Sequence, residues 1–149
     1  MMDKIHDLLC VPLKQIIDER GAVYQYLKST GDTFRGFGEA YYSKVNTNVV
    51  KGWKFHKEIH QHFCVPFGRI KLIAYDCRID SPSYGAIQEI IIDDRENYQM
   101  ISMRPEIWYS FQALSEPFAL LANIINKPHD PAESLNLPLD NKEIPYVWK

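Results

Sequence analysis

Short runs of β-branched and aromatic residues alternate with polar ones along most of this chain, and Gly, Pro, Asn and Asp bound nearly every run. Runs of that kind predict strands over Ala40–Val45, Val49–His56, His62–Val65, Arg69–Cys77, Ile87–Ile92, Met100–Met103 and Trp108–Leu114. The turns between them fall at Asn46-Thr47-Asn48, Pro66-Phe67-Gly68, Asp80–Gly85 and Asp93–Asn97. Nearer the N-terminus, Ile16–Arg20 reads as a strand end closed by Gly21, with Val23, Tyr24 and Tyr26 forming a further strand and 29–38 a loop. Ile5, Leu8 and Leu9 stand at near-helical spacing and predict a short helix or arm over residues 1–10. Phe118–Ile125 fits helix or strand equally by periodicity, and Pro128 and Pro131 stop either element. Strands spaced roughly ten residues apart, with turn signals between them, define an all-β, mostly antiparallel sandwich or barrel.

The 149 residues fit one domain, 1–149, with a single core. Nine Tyr, seven Phe and three Trp against seven Gly favour strands around an aromatic-lined interior over a helical bundle. A net charge of −2, with both signs interspersed, excludes the basic field of a nucleic-acid binder. The one basic-leaning stretch, Lys51–Lys57, is interrupted by Trp53 and Phe55 and suits a diphosphate rather than a duplex. Cys10, Cys64 and Cys77 are odd in number and lack CxxC spacing, so they read as reduced, buried thiols of a cytoplasmic protein. No apolar run has the length of a membrane span or of a signal-peptide core.

Asp76-Cys77-Arg78-Ile79-Asp80-Ser81-Pro82-Ser83-Tyr84-Gly85 resembles the D-x-R-x-x-S-P-[ST]-[FY]-G run of the dTDP-4-dehydrorhamnose 3,5-epimerase family. Other family motifs have counterparts in the same order. Asp18–Gly21 is similar to D-x-R-G, Val49–Phe55 to V-[IL]-R-G-L-H-[FY], and Val65–Ile70 to the V-x-G-x-[VI] turn. Trp108–Glu116 is similar to A-H-G-F-x-x-L-S-E, and Ile144–Trp148 to the terminal I-x-[IWY]-x-W. The resemblance covers residues 16–148 and implies a cupin jelly roll, that is, a double-stranded β-helix barrel, with short N- and C-terminal extensions. It also implies a homodimer, no metal or other cofactor, and a nucleoside-diphosphate 4-keto-6-deoxy sugar bound inside the barrel.

Epimerisation beside a ketone needs a base on one ring face and an acid on the other. The family's base, the His of R-G-L-H, falls at Lys54, and its late-strand Tyr acid at Asn123 or Ala122. The carboxylate that assists the family His lies beyond the terminal Trp motif, whereas this sequence stops one residue after Trp148. Binding positions carry over as Arg20 and Lys51 for phosphate, Gln25 for an acid, Gln61 for a site Lys, Tyr109 for the His of A-H-G-F, and Asp76 unchanged. Lys54 and His56, at i and i+2 of a strand, share a face and are expected to replace the usual dyad inside the barrel, with Tyr109 beside them. The same spacing is similar to that of the sugar 3,4-ketoisomerases, whose H-x-H precedes a polar residue placed here at Gln61.

The expected function is therefore an isomerase or epimerase of a nucleoside-diphosphate 4-keto-6-deoxy sugar, in surface-polysaccharide or deoxysugar biosynthesis. A non-catalytic sugar-nucleotide-binding cupin is the alternative from another class. His56, His60 and His62 share parity, which raises a metal-dependent cupin as a lesser one, although a loop between Lys57 and Ile59 works against their convergence. Trp53 and Phe55 are expected on the opposite face of their strand, and Lys127–Pro131 as a rigid turn.

Overall fold

The computed structural model describes residues 4–149, and its strands pack as two facing sheets. One sheet is built, in spatial order, from β1 (Leu8–Pro12), β9 (Gln99–Met103), β6 (Gln61–Phe67), β11 (Phe118–Ile125) and β4 (Glu39–Asn46). The other runs β12 (Ser134–Asn136), β5 (Val50–His56), β10 (Ile107–Ala113), β7 (Arg69–Asp76) and β8 (Ile87–Asp93). Every pairing described is antiparallel. β2 (Gln15–Asp18) and β3 (Gly21–Tyr24) form a separate hairpin outside both sheets.

Alternation along the strands decides what each face meets. On β7 and β10, Ile70, Leu72, Ala74, Ile107, Tyr109, Phe111 and Ala113 point between the sheets and join the main core. Ile73 and Trp108 point outward, yet they are buried too, because Ile144, Tyr146 and Trp148 of the C-terminal tail fold over that face with Trp53. Trp148 fixes this cover by donating its indole N–H to Ser110 Oγ at 2.7 Å. The tail motif thus completes a second apolar layer and has no part in the interior.

The expectation for residues 1–10 is corrected. Leu8–Pro12 is a strand paired in register with Gln99–Met103; residues 1–3 lie outside the described ones. Phe118–Ile125 is a strand, held between β4 and β6 on both edges. After Pro128, a short 3-10 turn (Pro131–Glu133) leads into β12, where the sequence shows no period. Asp130 caps that turn by accepting the N–H of Ala132 at 3.0 Å, and Pro131 supplies the fixed φ its start needs. Cys10 is exposed rather than buried, while Cys64 is buried and Cys77 half-buried.

One irregularity shapes the interior. Across β5 and β10, Tyr109 pairs with Lys54, but Ser110 pairs with Gly52, so Trp53 is an extra residue, a β-bulge. The bulge puts Lys51, Lys54 and His56 all on the face shared with Tyr109 and Phe111, although 51 and 54 differ by an odd number. Gly52 makes it possible: its φ is +123°, and a Cβ there would sit 2.5 Å from Ser110 Cβ.

Candidate active site

Strands β4, β5 and β10, with the loop after β11 and the end of β12, line a cavity of about 460 Å³ between the sheets. Glu39, Tyr41 and Ser43 line it from one sheet; Lys51, Lys54, Tyr109 and Phe111 line it from the other; His129 and Asn136 stand at its edge.

His56, 3% exposed, lies behind this lining, its ring against that of Tyr109. Its Nδ1 is 2.7 Å from Glu133 Oε1, and the carboxylate's other oxygen accepts the backbone N–H groups of Glu58 and Ile59, each at 2.9 Å. The 3-10 turn delivers Glu133 to this point, and β12 holds it by pairing with β5, Ser134 opposite His56. Burial would raise the Glu133 carboxyl, but the hydrogen bonds from His56, Glu58 and Ile59 outweigh it and hold the group below its ordinary range. Burial lowers the His56 pKa, the Glu133 contact opposes the shift, and the Lys54 charge adds to it. The pair therefore rests as carboxylate and neutral imidazole. With Nδ1–H directed at Glu133, the lone pair sits on Nε2, 3.5 Å from the Tyr109 hydroxyl.

A chain of polar groups runs from Tyr109 across to the facing sheet, and one backbone donor fixes its polarity. The N–H of His62 donates to Asn123 at 3.2 Å, which makes that atom Oδ1 and leaves Nδ2 on the other side. Asn123 Nδ2 then donates to Gln61 Oε1 at 3.0 Å and to Tyr41 Oη at 3.1 Å. Gln61 Oε1 also accepts the Tyr109 hydroxyl at 3.1 Å. Gln61, Tyr109 and Asn123 are all buried. Burial pushes the Tyr109 phenol well above its usual range and raises that of Tyr41, against which the Asn123 contact works.

The structure thus brings Lys51, Lys54 and Tyr109 to the cavity wall, with His56, Gln61 and Asn123 linked to Tyr109 behind it. Three predicted binding residues lie elsewhere. Arg20 sits on the outer hairpin, its side chain 82% exposed and paired with Asp18 at 2.7 Å. Gln25 lines a separate cleft with Tyr26, Leu27 and Val11. Asp76 is wholly buried, and both its oxygens are used inside its own loop, by the Arg78 guanidinium at 2.8 and 2.9 Å and by the Ser81 and Ser83 hydroxyls at 2.6 Å. It holds the 77–86 loop and does not floor the cavity. The three same-parity histidines separate as well, because the turn at 57–60 reverses the facing. His60 meets Ser102 Oγ at 2.8 Å and His62 meets the carbonyls of Ile124 and Thr33, outside the sheet, while His56 faces in. Among the described residues no cluster of His, Cys, Asp or Glu is arranged to hold a metal.

Glu133, Tyr41 and His129 were not singled out from the sequence. Tyr41 had a readable signal, since strand alternation points Tyr41 and Ser43 to one side. Glu133 had none, because its position depends on a turn and a three-residue strand in an unpatterned tail.

A jelly-roll barrel with a cavity lined by two tyrosines and two lysines, and a buried His–carboxylate pair behind it, is a cupin that carries the groups an acid–base site needs. The family model described as dTDP-4-dehydrorhamnose 3,5-epimerase matches residues 2–149, and the chain belongs to that family. It is 34% identical over 147 residues to the probable low-salt glycan biosynthesis epimerase Agl13 of Haloferax volcanii, covering 97% of this chain and 90% of that one. The structure of a dTDP sugar isomerase from Desulfovibrio desulfuricans G20 superposes with a TM-score of 0.94 at 35% identity, over 97% of this chain and 92% of that one. RmlC of Legionella pneumophila Philadelphia 1, solved with dTDP-4-keto-L-rhamnose, shares the fold with a TM-score of 0.84 at 21% identity, over 99% and 81%.

Proposed function

We propose that the protein is an epimerase of a dTDP-linked 4-keto-6-deoxy sugar, working by proton abstraction beside the ketone in glycan biosynthesis. The observation that carries this reading is the buried His56–Glu133 pair, with an imidazole lone pair turned toward Tyr109, itself part of the lining of a cavity large enough for a hexose. A 4-keto group acidifies the neighbouring C–H, and His56 Nε2 takes that proton while the electron pair passes to the ketone oxygen. Glu133 then stabilises the imidazolium, and the Tyr109 oxygen, 3.5 Å away, accepts its new N–H. Lys54, on the same face as His56, supplies positive charge where the enolate oxygen develops. Lys51, nearer the mouth, meets the diphosphate as a point charge.

Family membership and the relatives' activities support catalysis over a silent binding role. The exposed apolar hairpin, with Ile16 53%, Ile17 71% and Val23 62% exposed, supports a homodimer. No helix among the described residues is long and apolar enough to cross a membrane, and the three cysteines are free, which supports a cytoplasmic site of action.

The test is incubation with dTDP-4-keto-6-deoxyglucose in D2O, following the C3 and C5 protons by NMR. Wild type exchanges and inverts at least one of them, and His56→Ala abolishes both. Tight binding without exchange by wild type overturns the reading in favour of a non-catalytic sugar-nucleotide-binding protein.

A further inference from the structure

Inversion needs a second group. His56 removes a proton from one face of the ring, and the returning proton must arrive on the other, or the carbon regains its first configuration. The residues aligned with the family's donor are Asn123 and Ala122, neither of which has an acidic proton to give. Among the described residues that line the cavity, two carry a phenolic hydroxyl, Tyr41 and Tyr109.

Tyr109 is placed wrongly for the task in two respects. It stands on β10, in the same sheet as His56 on β5, and its hydroxyl lies 3.5 Å from the His56 ring, so the two approach a bound ring from one side. Its hydrogen is also committed: Asn123 donates to Gln61 Oε1, which makes that atom an acceptor, and the Tyr109 hydroxyl gives its hydrogen to the same atom at 3.1 Å.

Tyr41 differs in both. It stands on β4 in the facing sheet and lines the cavity opposite Lys54 and Tyr109, so a ring held between the sheets has the sheet that carries His56 on one face and Tyr41 on the other. Its oxygen accepts from Asn123 Nδ2 at 3.1 Å, an orientation fixed by the His62 N–H on Oδ1. No acceptor for its own hydrogen lies within hydrogen-bond distance among the described residues, so the O–H is free to turn into the cavity. A phenol that accepts a hydrogen bond is also better able to carry the negative charge left after donation.

From this polarity we infer that Tyr41 is the catalytic acid, delivering the proton that completes the inversion; the assignment rests on the epimerase reading above. His56 Nε2 takes the C–H proton, the C–H pair forms the enolate C=C, and the carbonyl pair moves to oxygen. The enolate then re-forms C=O as its carbon takes the Tyr41 hydroxyl proton from the opposite face. Imidazolium and tyrosinate remain, and a proton passes from one to the other through water in the open cavity, restoring both. The family's late-strand donor is thereby replaced by one on an early strand, and Asn123, in the aligned slot, becomes the residue that positions it.

The assay uses dTDP-4-keto-6-deoxyglucose in D2O, scoring exchange and inversion separately by NMR for wild type, Tyr41→Phe and Tyr109→Phe. Tyr41→Phe keeps the ring and its packing. It should retain exchange, because His56 can return a deuteron to the face it came from, while inversion falls by about 100-fold or more. Tyr109→Phe should slow exchange and inversion together, since it removes the oxygen that receives the His56 N–H. Inversion by Tyr41→Phe within about threefold of wild type, or exchange without inversion in Tyr109→Phe, would overturn the assignment while leaving the epimerase reading intact. Absence of exchange in wild type itself removes that reading and the donor with it.

Discussion

Glu133→Gln changes one atom of the site and should remove nearly all activity, for a reason the geometry makes explicit. Glu133 Oε2 accepts two backbone N–H groups, those of Glu58 and Ile59, at 2.9 Å each, while Oε1 faces His56 Nδ1 at 2.7 Å. A glutamine has one oxygen and one NH2 to place. The two main-chain donors cannot turn away, so the amide oxygen goes to them and the NH2 faces His56. Nδ1 then has to accept, its proton moves to Nε2, and the lone pair that attacks substrate is replaced by an N–H. The corresponding Asp→Asn change in a Ser-His-Asp triad, which also traps the wrong tautomer, lowers kcat about 10⁴-fold. A similar loss here is about 5 kcal/mol of transition-state stabilisation. Deuterium washout from the keto sugar measures the rate, and the ring 15N shifts of His56 report which nitrogen bears hydrogen. Washout within about tenfold of wild type, or a ring still protonated on Nδ1, refutes the argument.

Lys54→Met removes one of the influences that depress the His56 pKa. Because catalysis needs the neutral ring, the acid limb of the kcat/KM profile should move to higher pH in this variant, and a shift to lower pH contradicts the assignment of Lys54 as the neighbouring charge. Gly52→Ala forces a Cβ to within 2.5 Å of Ser110 Cβ at a φ of +123°; thermal unfolding should show a loss of about 2–5 kcal/mol, with exchange activity falling as the bulge re-registers. Asp76→Asn should cost about 3–5 kcal/mol in denaturant titrations by stranding Arg78, whose side chain is 11% exposed. Burial, with the charges of His62, Arg35 and Arg104, pushes His60 down to about 4. An unfolded-chain histidine takes up its proton near pH 6.5, at roughly the ordinary value, so stability is lost as pH falls from there toward 4, and His60→Asn should flatten that part of a Tm-against-pH curve.

How far this site can be read from sequence depends on what positions each residue. That Lys54 and His56 share a face is legible because a strand's period of two is a local property, whereas Tyr109 is reached only through its aligned family position. Lys51 was reached through the family motif, and only the bulge at Trp53 explains how it shares a face with Lys54. Asp76 misled for a physical reason: its motif is retained because a buried carboxylate holding Arg78, Ser81 and Ser83 fixes a loop, and a motif built by such a loop looks the same as one built by a ligand. The N-terminal strand is masked in the sequence because Ile5, Leu8 and Leu9 stand at near-helical spacing, and β1 takes its conformation from pairing with β9. Glu133 was missed for the opposite reason to Lys54, since it reaches His56 across 77 positions of chain through a capped turn, and no local pattern encodes that contact. The same distance in sequence explains how a site can lose both the His and the Tyr slots of its family and still be equipped for acid–base chemistry. The mechanism proposed above requires a carboxylate behind an imidazole and a phenol across from it. The barrel offers several strands pointing into one lumen from which each can be supplied.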